Sequence, residues 1–173
     1  MERFTISVFT EDQTDLLIRL SLILSRRQLS IKSITISECE LKPIYRYTLV
    51  VHTSLEKVQN IVKQIEKLVA VLKAFYHREE ETISQEIALY KLKTTDLVEK
   101  NTERILRTHQ AKILSISPQY TIVEKTGCQE EIQALLEDLN LIGVLEFARS
   151  GSVAITKPMK PLASYLEELE QVY

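Results

Sequence analysis

The side chains able to do chemistry are few and scattered. The three histidines, His52, His77 and His109, have no neighbours at metal-ligand spacing. The local patterns place His52 at a strand end, His77 in a charged linker and His109 late in a helix, in exposed or capping roles. The two cysteines, Cys39 and Cys128, lie too far apart for a disulfide framework or a zinc motif. Cys128 follows Gly127 at a helix start, where free amides can lower a thiol pKa; mild reactivity is therefore weighed against a small structural role, which is favoured. Glu79, Glu80 and Glu81 are consecutive, so they cannot converge on one substrate as an acid and a base would. Tyr45-Arg46-Tyr47 has the look of base-stacking aromatics, but without the Gly-rich motif and basic surround of an RNA-binding sheet; sheet-face packing of Tyr45 and Tyr47, at the dimer contact, is expected instead. The only glycines are Gly127, Gly143 and Gly151, which excludes a GxGxxG or Walker phosphate loop.

One segment remains. Thr10-Glu11-Asp12-Gln13-Thr14-Asp15-Leu16 joins a strand to a helix N-terminus, where unpaired N–H groups and the helix dipole favour a carboxylate. An ordinary capping loop fits the same residues. A less favoured alternative gathers Glu11, Asp12 and Asp15 around a divalent cation or an ammonium group.

The surrounding composition is that of an ordinary globular chain. Of 173 residues, 45% are apolar and 27% charged, and the formal net charge of −2 leaves no electrostatic footprint for nucleic acid or an anionic membrane. No apolar run approaches the roughly 20 residues that span a bilayer. Met1-Glu2-Arg3-Phe4 enters a strand pattern without a signal-peptide apolar region, and isolated cysteines suit a reducing compartment, so a cytoplasmic location is expected.

Periodicity supplies the elements. Phe4, Ile6 and Val8 alternate with Thr5 and Ser7, a half-buried strand. Leu16, Leu17, Leu20, Ile23 and Leu24 follow at helical spacing, with Asp15 as N-cap. Ile31 to Glu38 and Ile44 to Thr53 are strands flanking the Leu41-Lys42-Pro43 turn. Ser54 caps a helix carrying Val58, Ile61, Val62, Ile65 and Leu68, and Val69 to Tyr76 is a fourth strand. After the run His77 to Glu81 the order repeats: strand Ile83 to Lys93, a helix opened by Asp96 through Val98, Ile105 and Leu106, strands Ala111 to Ser117 and Tyr120 to Lys125, helix Gln129 to Asn140, and a strand or strand pair over Val144 to Thr156. A period of about 80 residues exceeds that of solenoid repeats. The expected fold class is α+β: two tandem ferredoxin-like βαββαβ modules over 1–77 and 84–157, a linker at 78–83 and an amphipathic tail at 158–173.

Each module sets two helices on one face of an antiparallel sheet and leaves the other face bare. In the first, that face carries Thr5, Ser7 and Phe9. Bare faces and free edges invite a second subunit, so a homodimer formed by sheet extension is expected. The tail stripe Leu162, Tyr165, Leu166, Leu169 and Val172 is expected to dock on its own domain, with a partner chain as the alternative.

The residues also resemble a known family. A strand, an acidic-polar loop, Leu-rich helix, Ser25-Arg26-Arg27 and Ile31-x-Ser33-Ile34-Thr35 are similar to the ACT domain that opens acetolactate synthase small subunits. Glu86-Ile87-Ala88-Leu89-Tyr90-Lys91, Asn101-Thr102-Glu103 and Glu146-x-Ala148-Arg149-Ser150-Gly151 resemble that family's C-terminal domain in order and spacing. The resemblance covers about residues 2–157 and includes both halves. It implies a non-catalytic subunit without a cofactor of its own. Such a subunit activates a thiamine-diphosphate-dependent catalytic large subunit in branched-chain amino-acid synthesis and takes feedback from valine at an ACT dimer interface. By resemblance, the effector site falls on Asp12, Gln13, Thr14, Asp15 and Leu16, with Ser30 and Ile31 from the second strand. An ACT-type amino-acid sensor acting on another target is the alternative, and a small enzyme or RNA binder on the same scaffold is a third reading.

The chain departs from the family pattern at the site itself. Asp12 stands where the family usually has Asn, Asp15 where it usually has Gly, and Ser30 where it usually has Asn. Asp15 adds bulk and charge where glycine lets a backbone approach closely. As an N-cap it would also occupy the amides a ligand carboxylate needs, and Asp12 cannot donate as an Asn amide does. Valine feedback is expected to be weak or lost.

Overall fold

The computed structural model describes residues 1–11, 15–40, 42–99 and 102–157. They fall into two compact units, Met1–Ile83 together with the chain from Ser152, and Ser84–Gly151. The 158–173 tail stripe lies outside the described residues.

The first unit contains β1 (Glu2–Glu11), α1 (Leu16–Arg26), β2 (Ile31–Glu38), β3 (Ile44–Thr53), α2 (Leu55–Ile65) and β4 (Val71–Arg78). The strand order is β2-β3-β1-β4, with antiparallel pairing throughout. Alternation does what period-2 geometry requires: Phe4, Ile6 and Val8 point to the helices and are fully buried. Opposite them stand Leu16, Leu20 and Leu24 of α1 and Val58, Ile61 and Ile65 of α2, in one core with Leu49 and Val51. Each such side chain contributes about 1.5–3 kcal/mol on burial. Ser54 stands at the start of α2, but its side chain makes no capping hydrogen bond, contrary to expectation.

Strand β4 starts later and runs further than its apolar pattern predicts. His77 and Arg78 belong to β4, and only Glu79–Glu81 forms a 3-10 turn before β5 (Thr82–Lys93). Pairing decides this: Thr5 opposes His77 and Phe4 opposes Arg78, so β1 extends the ladder through residues that look solvated. His77 is therefore a strand residue beside Phe75 rather than part of a linker.

The same order recurs through β5, α3 (Thr94–Glu99), α4 (Thr102–Thr108), β6 (Lys112–Ile116), β7 (Tyr120–Gly127), α5 (Gln129–Asn140) and β8 (Val144–Arg149). The path β6-β7-β5-β8 reproduces the first sheet element for element, and β9 (Val153–Thr156) also pairs with β5. Two helices stand where the pattern predicts one. Thr102 is fully buried, and its hydroxyl donates to the Asp96 carbonyl at 3.0 Å, fastening the second helix against the first. Tyr90, Leu92, Val123, Leu106, Ile132, Leu135 and Leu139 build the core.

The outer face of the first sheet is not bare. Thr5, Ser7 and Phe9 are buried. Residues Ser152 to Ile155 run over this face within the same unit: the Ser152 amide donates to Ser33 Oγ at 2.8 Å, and Arg46 Nη2 donates to the Ala154 carbonyl at 2.7 Å. Among the described residues, the outer face of the second sheet keeps apolar side chains exposed. Ile87 and Leu89 are exposed there beside the Lys91–Glu146 ion pair, and the Lys91 ammonium lies 5.0 Å from the Tyr120 ring centre.

Candidate functional site

Thr10 and Asp15 flank the loop after β1. Asp12, Gln13 and Thr14 lie outside the described residues. Thr10, the last residue of β1 on the helix-facing side, is fully buried, and its Oγ1 has no hydrogen-bond partner. The β1–β4 register shifts between Phe9 and Thr10, so the ladder loosens where the loop departs. Nothing in the sequence distinguishes Thr10 from its neighbours; only the unmet hydroxyl does.

Asp15 precedes α1 but does not cap it. Its backbone is helical, at φ −93° and ψ −5°, rather than extended as a capping residue requires, and its side chain makes no capping hydrogen bond. The carboxylate instead accepts from Arg19 Nε at 2.7 Å. Contrary to expectation, Asp15 does not occupy the helix amides: an i, i+4 ion pair outcompetes the cap. That spacing is visible in the sequence and could have signalled the pair.

Leu16 is fully buried in the first core, so its side chain is unavailable to a ligand. At the far end of α1, Gln28 adopts φ 55° and the Leu29 amide donates to the Leu24 carbonyl at 3.0 Å, which turns the chain into β2. Ser30 is exposed there, and Ile31 is half-buried against the core.

Asp15 and Ser30 thus stand at opposite ends of an 11-residue helix, about 16 Å apart along its axis at 1.5 Å per residue. One chain does not bring the two halves of the expected site together. Beside them, Leu17, Ile18 and Leu22 project outward from α1, and β2 is an edge strand of its sheet.

The motif residues of the second unit do structural work. Glu86 is buried and pairs with Arg149 at 3.3 Å, across the neighbouring strands β5 and β8. Ser150 Oγ accepts from the Ile87 amide at 2.9 Å. Asn101 lies outside the described residues. His109 Nε2 lies 2.7 Å from Asp138 Oδ2, tying α4 to α5. Cys128 heads α5 with a reciprocal box, its amide donating to Glu131 Oε2 at 2.9 Å. Burial, first, pushes the thiol up, a hydrogen bond with Glu131 pulls it down, and the Glu130 and Glu131 carboxylates push it up further, the opposite of the helix-terminus activation weighed for it against the favoured structural role. Burial also holds His77 below the ordinary histidine range, against the pull of Glu81. Among the described residues, no three His, Cys, Asp or Glu side chains gather as a metal site.

Comparison with known proteins follows the same two-part division. The family described as "AHAS small subunit-like ACT domain" matches residues 6–73, and "Small subunit of acetolactate synthase" matches residues 85–158. The acetolactate synthase small subunit of Mycolicibacterium smegmatis is 32% identical over 153 residues, covering 88% of this chain and 90% of that protein. That of Bacillus subtilis is 28% identical over 160 residues, covering 92% and 93%. The crystal structure of the small subunit from Thermotoga maritima superposes with a TM-score of 0.82 at 25% identity, over 92% of this chain and all of that one. Sequence, element order and fold agree over both units, and the chain belongs to the acetolactate synthase small subunit family.

Proposed function

We propose that this chain is a non-catalytic regulatory subunit that binds a thiamine-diphosphate-dependent acetolactate synthase catalytic subunit in the cytoplasm and raises its activity. The observation that carries this reading is the agreement with small subunits over nearly the whole chain, both modules included. The motif residues Glu86, Thr102, Arg149 and Ser150 are engaged in holding the fold. Mixing the purified chain with its catalytic subunit and passing both through a sizing column tests the partnership. Co-elution supports it; separate elution at micromolar concentration of both contradicts it.

The working form in this proposal is a homodimer. Two copies joined along β2 would continue the sheet, cover the exposed Leu17, Ile18 and Leu22 stripe of α1, and set the first loop of one copy near the Ser30–Ile31 end of the other. The separation of Asp15 and Ser30 within one chain favours this arrangement. The effector site comprises Asp12, Gln13, Thr14, Asp15, the Leu16 amide, Ser30 and Ile31, at an interface.

Valine feedback at this site is weak or lost. Asp15 keeps a side chain and a carboxylate at the helix entrance. Two like charges 4 Å apart repel by roughly 1 kcal/mol in bulk water and about 4 kcal/mol at a protein-surface dielectric. The half-exposed Arg19 partner neutralises part of that field, so the bulk of Asp15 and its hold on Arg19 carry as much of the effect as its charge.

A further inference from the structure

We propose that the groove between the outer face of the first sheet and the Val153–Ile155 segment is a binding site for a small carboxylate, held by Arg46 and Thr35. The groove belongs wholly to the first unit and encloses about 250 Å³, with Thr35, Thr48, Cys39 and Arg46 among its walls and Glu38 and Glu40 at its margin. This is ample room for a small molecule such as acetate, since one water needs only about 10–15 Å³ in the same measure. It lies on the sheet face opposite the helices, and so apart from the effector loop.

Two donors in this groove are unmet. Arg46 stacks over Phe9, its guanidinium carbon 5.4 Å from the ring centre. Its Nη2 donates to the Ala154 carbonyl at 2.7 Å and to Ser7 Oγ at 3.2 Å. Both acceptors are neutral. The Arg46 Nε–H is buried with no acceptor, and so is the hydroxyl of Thr35. The register puts Thr35, Thr48 and Ser7 in one cross-strand row, and the guanidinium reaches that row at Ser7. Among the described residues, no carboxylate lies within ion-pairing distance of Arg46. Glu40 at the groove margin acts on the guanidinium only from beyond contact, and a partly buried guanidinium with no anion in contact is costly. A carboxylate accepts from the guanidinium fork and from a hydroxyl together. Glu38 and Glu40 at the margin repel a second negative charge, which selects a monocarboxylate over phosphate.

The test is an NMR titration of the full chain with sodium acetate, with sodium chloride holding ionic strength constant and inorganic phosphate run in parallel. Saturable shifts confined to the Arg46 Nε–H signal and the amides of 33–39 and 152–155 support the site. Thr35→Val removes an orphan hydroxyl, so a purely structural role predicts unchanged or higher thermal stability with binding unaltered. The carboxylate site instead predicts roughly tenfold weaker acetate binding at unchanged stability, the loss of one charge-assisted hydrogen bond. Arg46→Lys is expected to weaken binding at least as much; should that variant fail to fold, Thr35→Val decides. Shifts linear in acetate, equal shifts with chloride or phosphate, or undiminished binding by Thr35→Val would each overturn the proposal.

Discussion

Asp15 gives its carboxylate to Arg19, one turn along α1, and not to the amides at the helix start. The entrance of α1 therefore carries an ion pair. Calorimetric titration of the chain with valine should show binding weaker than about 1 mM, equivalent to a free energy near −4 kcal/mol. Asp15→Gly should tighten it. Tight binding by the unaltered chain contradicts the account of this site.

The dimer reading makes a separate prediction. Leu17, Ile18 and Leu22 are exposed, so charging them need not disturb the core. Ile18→Glu with Leu22→Lys should leave the melting temperature within a few degrees, since surface changes usually stay within about 0.5 kcal/mol, yet yield monomers by sedimentation. A pair of substitutions that leaves the dimer intact places the interface elsewhere.

Gly127 owes its identity to the cap of α5. A Cβ there would collide with the Glu131 carboxylate and come within 3.3 Å of the Glu131 Cβ. Gly127→Ala should expel Glu131 from the Cys128 amide and cost about 1 kcal/mol, the usual value of a lost N-cap interaction. Chemical denaturation measures it. Glu131→Gln, which keeps an acceptor, should cost less.

His77 should make the chain less stable in mild acid. Its folded pKa is depressed by burial, so the unfolded state binds the proton more readily. Stability from this group is complete above the unfolded value of about 6.5 and is lost as pH falls from there through the depressed folded value. His77→Asn should flatten the pH dependence of the melting temperature in that window. An unchanged slope shows that other groups dominate.

How much of this was legible depends on range. Phe4, Ile6 and Val8 announce their strand by alternation, and Ile132, Leu135 and Leu139 announce α5 by helical spacing, because these signals are local. The covering of the first sheet is not local. Arg46 meets Ala154 across 108 positions and Ser33 meets Ser152 across 119, and the covering residues read as part of the second module. His77 was misplaced for a related reason: its charged neighbours look solvated, and only the pairing with Thr5 shows the strand continuing. At the candidate site, the partner of Asp15 was misjudged because a cap and an i, i+4 pair compete for one carboxylate. Leu16 entered the expected site by alignment with the family, while its core role follows from the same helical spacing that defines α1.

The most direct measurement is the rate of acetolactate formation by the purified catalytic subunit, at fixed concentration, as this chain is added. The account predicts a saturable rise, with the chain alone forming none. A flat rate at saturating chain, or acetolactate formed by the chain unaided, contradicts it.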